Sequence, residues 1–134
     1  MKFINRKTPA SEIEIKKDKD GFEYKSVKAS YMKALVFMVT GGNFSFEIKS
    51  REYIAATKET LVEGRLMINV NGQTFSREQF GQHYINTKPE ATGNKTANIP
   101  SDIGNSYKAA ATNAFKKCLS EFGFCWDIYG QERA

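Results

Sequence analysis

Hydrophobic positions along this chain change period several times, and each change marks an element. Ile13 and Ile15 alternate with charged residues, Asp20-Gly21 supplies a turn, and Phe22 and Tyr24 alternate again. A period of two on both sides of an Asp-Gly dipeptide predicts a β-hairpin over Glu12–Val27, within an N-terminal region of residues 1–28. The run KASYMKALVFMVT shifts to helical spacing, with Tyr31, Ala34, Leu35, Met38 and Val39 on one expected face and Gly41-Gly42 as its stop. Alternation returns in NFSFEIK through Phe44, Phe46 and Ile48, which predicts a half-buried strand. Another strand is expected over Arg65–Val70, where Leu66, Ile68 and Val70 alternate with Arg65, Met67 and Asn69. It ends at Asn71-Gly72, two residues that tolerate the positive φ of a type I′ turn. Gln73–Ile85 should therefore return as the antiparallel partner, broken near Gly81.

Apolar content then collapses over residues 86–105, where Pro89, Gly93, Pro100 and Gly104 stand among Thr, Asn and Lys, so a long surface loop is expected. The clearest element follows, a helix over residues 106–123. Tyr107, Ala111, Ala114, Phe115, Cys118 and Phe122 form its apolar stripe, Asn105 or Ser106 can cap its start, and Gly123 suits its end. The small residues Ala109–Ala111 and Ala114 would let this helix approach a sheet closely. The resulting fold class is α+β: an antiparallel sheet packed against a long C-terminal helix, with an N-terminal hairpin and a shorter helix.

Composition narrows the setting without naming a function. A chain of 134 residues, 40% hydrophobic, suits one domain with a core and excludes wholesale disorder. No apolar run approaches the roughly 20 residues of a membrane span, and the N-terminus lacks the apolar stretch of a secretory signal. Two cysteines, Cys118 and Cys125, cannot make a disulfide framework, so a reducing cytoplasm is expected. Twenty Lys and Arg against fifteen Asp and Glu leave +5, which permits nucleic acid as a partner but does not require it.

Local charge says more. Lys108, Thr112 and Lys116 follow one another at four-residue steps on the final helix, with Asn113 and Lys117 on an adjoining line and Glu121 as the nearby acid. Ammonium groups interspersed with short polar groups can hold phosphates, although a solvated helix face has the same pattern. Enzyme readings are weaker. His83 is the only histidine, Cys118 and Cys125 match no zinc spacing, and no Gly-rich P-loop is present. Glu47, Glu52, Glu63 and Glu78 are scattered over strands with no paired motif, which leaves a divalent-metal nuclease as the remaining enzyme alternative.

The stretch SYKAAATNAFKKCLSEFGFCWDIYG resembles the signature helix of the Rad-fifty-two superfamily of single-strand annealing recombination proteins. In that family a small-residue run is followed by Thr-Asp, a small residue, an apolar residue, a basic pair and a terminal Phe-Gly. The matching positions here are Ala109–Ala111, Thr112-Asn113, Ala114, Phe115, Lys116-Lys117 and Phe122-Gly123. The order of elements is similar too, from the basic hairpin through the helix, GGNFSFEI and the strands. Two positions depart: Phe44 stands where the family usually has Trp, and Asn113 where it has Asp.

This resemblance implies a β-β-β-α core whose protomers assemble into rings or filaments and anneal complementary single-stranded DNA in homologous recombination and repair. It implies no ATP, metal or other cofactor. The basic pair carries the DNA-binding role over to Lys116 and Lys117; Lys108 and Thr112 join by helical periodicity, and Lys28, Lys33 and Arg65 by charge and order of elements. Expected partners are single-stranded DNA, the annealing duplex intermediate and further copies of the chain, with a single-strand binding protein or exonuclease beyond them. Compactness, with no partner-recruiting tail after the signature helix, suggests a bacteriophage or mobile element and a bacterial cytoplasm. The nearest competitor is a small β-barrel that binds single strands by aromatic stacking, but a barrel should end in β rather than in the strongest helix. A purely structural oligomer is the third class.

Overall fold

A computed structural model describes residues 7–18, 20–85 and 103–130. The order of elements is β1 (Ile13–Lys17), β2 (Glu23–Val27), α1 (Ala29–Thr40), β3 (Phe44–Ile54), β4 (Glu59–Val70), β5 (Gln73–Tyr84), α2 (Ile103–Glu121) and the short α3 (Trp126–Tyr129). β1 and β2 form a two-stranded sheet, and β3-β4-β5 a three-stranded antiparallel one. The fold is α+β with a long C-terminal helix, as the hydrophobic periods predict. By compactness the chain divides into two units: Met1–Ser45, Leu66–Arg77 and Cys118–Ala134 form the first, Phe46–Arg65 and Glu78–Lys117 the second. The longer strands and α2 each contribute residues to both.

In the first unit the expected hairpin is present, with Ile13 opposite Val27 and Lys17 opposite Glu23. Its loop is held by Asp18, whose Oδ1 accepts the N–H groups of Asp20 and Phe22, both at 2.9 Å. α1 follows, and here the expected face is corrected. Met32, Leu35 and Val36 are buried, while Met38 is 65% exposed and Phe37 59%. Apolar residues run almost all the way around this helix, so its sequence does not select an inner face. Further along, α2 ends in a Schellman arrangement: the Phe124 N–H donates to the Leu119 carbonyl at 3.2 Å, and Gly123 N–H to that of Ser120 at 3.0 Å. α3 is then tied to the start of the chain, because the Asp127 carboxylate accepts both the Thr8 N–H and the Thr8 hydroxyl at 2.8 Å. The Tyr129 hydroxyl accepts the Val27 N–H at 2.9 Å. Cys118 and Cys125 are buried thiols.

The sheet is longer than its apolar alternation announces. β3 continues to Ile54 and β4 begins at Glu59, six residues before the expected start at Arg65. The early part of β4 does alternate, with Thr60, Val62 and Gly64 inward, but Thr and Gly hide that period from a hydrophobicity reading. Ile48, expected half-buried, is 53% exposed. Asn71-Gly72 forms the hairpin turn, with φ of 52° and 78°. β5 runs through Gly81 without a break. α2 starts at Ile103, so three residues of the expected loop are helical, and residues 86–102 of that loop lie outside the described residues.

Candidate nucleic-acid interface

The candidate site is built on α2, and within the second unit four contacts set how that helix is turned. Gly81 of β5 sits against its backbone: a Cβ there would collide with the Ala110 carbonyl oxygen and the Ala114 nitrogen. The Phe115 ring meets the Phe46 ring of β3 edge-on, centroids 5.2 Å apart at 63°. Asn113 Nδ2 donates to the Gln82 carbonyl at 2.9 Å. Near the helix start, the Ser106 hydroxyl bonds Thr60 Oγ1 at 2.7 Å and His83 Nδ1 at 2.9 Å. Thr60 and Ser106 are buried, at 0% and 3% exposure, so these hydroxyls satisfy each other instead of meeting solvent.

The clamp rotates the apolar stripe from its expected line. Ala110, Ala114 and Cys118 are at 0% exposure, whereas Tyr107, Ala111 and Phe115 are only half-buried. Small side chains take the innermost line because the helix backbone lies so near the strand at Gly81.

Lys108 and Thr112 are exposed on the side of the helix away from this line, and Lys116 is half-buried at its flank. Lys117 is exposed too. At about 100° per residue it lies roughly 180° around the helix from Lys108, nine positions earlier. It shares the row of Asn113, which borders β5. The basic pair therefore straddles one flank of the helix instead of presenting a single face with Lys108. Asn113 is held in that row by its side chain. Its amide donates to a backbone carbonyl, a bond that an aspartate carboxylate cannot make.

The remaining candidates fall elsewhere. Arg65, on β4, is paired with Glu78 at 2.6 Å and with Glu47 at 3.9 Å, and Lys49 also reaches Glu78 at 3.1 Å. Two cations and two carboxylates thus offset one another on this sheet surface. The hydrogen bonds from Arg65 first and Lys49 second hold the Glu78 carboxyl below the usual carboxylate range, and the same pairing raises the Arg65 guanidinium. Lys28 and Lys33 belong to the first unit, where Lys28 is the exposed N-cap residue of α1 and Lys33 is exposed on that helix. Among the described residues no three His, Cys, Asp or Glu side chains gather as a metal site would require. Nor is any helix among them long and apolar enough to cross a membrane.

One basic residue at α2 escapes a sequence reading. Arg51, in the distal half of β3, holds its guanidinium carbon 5.4 Å from the centre of the Tyr107 ring. Arg51 and Tyr107 are 56 positions apart, and no local period links them. Compared with known proteins, the chain matches no family model and no curated protein. The resemblance to the annealing family rests on the helix motif and the order of elements.

Proposed function

We propose that this protein binds single-stranded DNA and promotes annealing of complementary strands, as an oligomer and without ATP or metal, in the cytoplasm of a bacterial host. The observation that carries this reading is the outer side of α2. Lys108, Thr112 and Lys116 lie on a helix whose opposite side is clamped to the sheet at backbone distance, with Lys117 exposed on its flank. Such a helix holds cations at fixed spacing, and phosphate contacts of this kind supply affinity without sequence preference. Neutralised phosphates lower the repulsion between two strands, so pairing proceeds with no bond made or broken. Arg65, already matched by carboxylates, contributes less than Lys108.

The oligomeric part of the reading is supported by large apolar side chains at the surface, among them Phe37, Met38, Ile48 and Phe80, each at least half exposed. A few cations per protomer bind weakly alone, and repetition supplies avidity. The test is the Lys116→Ala/Lys117→Ala double variant, assayed for single-strand retention and for annealing of complementary oligonucleotides. Loss of both, with particle size by light scattering unchanged, is the expected result. Annealing at the wild-type rate would remove the site assignment, and inhibition by chelator would point to metal chemistry instead.

A further inference from the structure

The positive charges of the second unit are not equivalent. Lys49 and Arg65 are matched by Glu78 and Glu47 on the sheet. Arg51 and Lys108 differ, since no carboxylate among the described residues pairs with either. Both are exposed, and both adjoin Tyr107, the first through its ring and the second through the chain. A guanidinium laid on an aromatic ring loses conformational freedom yet keeps its N–H edge open. That edge matches two phosphate oxygens, a geometry that a lysine ammonium does not reproduce.

We propose that Arg51, held over Tyr107, and Lys108 together grip backbone phosphates of a bound single strand at the N-terminal half of α2. Tyr107 acts as the positioning residue. The inference rests on the single-strand-binding reading above and extends its site beyond Lys116 and Lys117 to a residue of β3. It makes a phosphodiester backbone the ligand and adds contacts at the second turn of the helix to those of Lys116 and Lys117.

The experiment measures binding of a fluorescent oligothymidylate, a strand that cannot pair with itself, by the full chain across a salt series. Arg51→Ala should weaken binding about three- to tenfold near 0.1 M salt and flatten the logarithmic salt dependence by about 0.7. Lys108→Ala should flatten it similarly. Arg51→Lys keeps the charge, so it should keep the slope while losing part of the affinity. Tyr107→Leu should behave like Arg51→Lys, because the charge remains but is no longer held, and Tyr107→Phe should match the wild type. Thermal melts identify any variant that fails to fold, and Arg51→Lys supplies the decision if Arg51→Ala does. Wild-type affinity and slope in the Arg51 variants, with binding still lost in the Lys116/Lys117 double variant, would overturn this inference alone. Absence of binding by the wild-type chain at low salt would overturn both this inference and the function it extends.

Discussion

Gly81 and Ala110 meet backbone to backbone: a methyl group on Gly81 would overlap the Ala110 carbonyl oxygen and, one turn on, the Ala114 nitrogen. Neither obstacle is a flexible side-chain end, so strand and helix would have to separate. Gly81→Ala should therefore destabilise the protein by about 3 kcal/mol or more, read as a shift of the urea midpoint. A midpoint within experimental error of the wild type would mean that α2 is not seated as described.

Phe115 shows the opposite economy. A fully buried Phe truncated to Ala loses about 3–5 kcal/mol. Phe115 is only half-buried and gains from its edge-on contact with Phe46, so Phe115→Ala should cost about 2 kcal/mol. A double-mutant cycle with Phe46→Leu should recover about 1 kcal/mol of coupling between the rings.

The Arg65–Glu78 pair predicts an acid-side effect. Because the Glu78 carboxyl is held low in the folded chain, its contribution to stability is complete above the ordinary carboxylate range and is lost as pH falls through its lowered folded value. Carboxyl NMR titration should find Glu78 titrating below that range, and Arg65→Ala should move it upward. The stability difference between wild type and Glu78→Gln should vanish at low pH and shrink at high salt. A Glu78 that titrates identically in both backgrounds would contradict the pairing.

Thr8 and Asp127 join the two ends of the described chain across 119 positions. Asp127→Ala removes both acceptors and leaves the buried Thr8 hydroxyl and N–H unpaired, at a cost of about 2 kcal/mol. Tyr129→Phe, which removes the acceptor for Val27 N–H, should cost about 1 kcal/mol. Hydrogen exchange at Val27 offers a direct check, since its amide should lose protection in Tyr129→Phe.

Most of the fold was legible because turns and periods are local. Asp20-Gly21, Asn71-Gly72 and Gly123 each end an element where a positive φ is adopted at the glycine, and the alternation of Leu66 and Ile68 marks a strand directly. What escaped were elements whose inward positions are not apolar. Thr60 and Gly64 face inward because a hydroxyl finds partners there and an aromatic ring covers the glycine, and neither reason is visible in a hydropathy pattern. The inner face of α1 escaped for the converse reason, since too many of its positions are apolar to choose between.

The candidate site divides along the same line. The chain by itself determined a lysine-bearing helix with an alanine-rich side, because helical spacing needs only the residues of that helix. The tertiary structure alone decided how the helix is turned, which lysines stand on its outer side, that Arg65 is matched by carboxylates, and that Arg51 joins Tyr107. Those outcomes depend on contacts between residues tens of positions apart, such as Gly81 with Ala110 and Arg51 with Tyr107. No short-range period encodes them; close packing and charge pairing of the folded chain do.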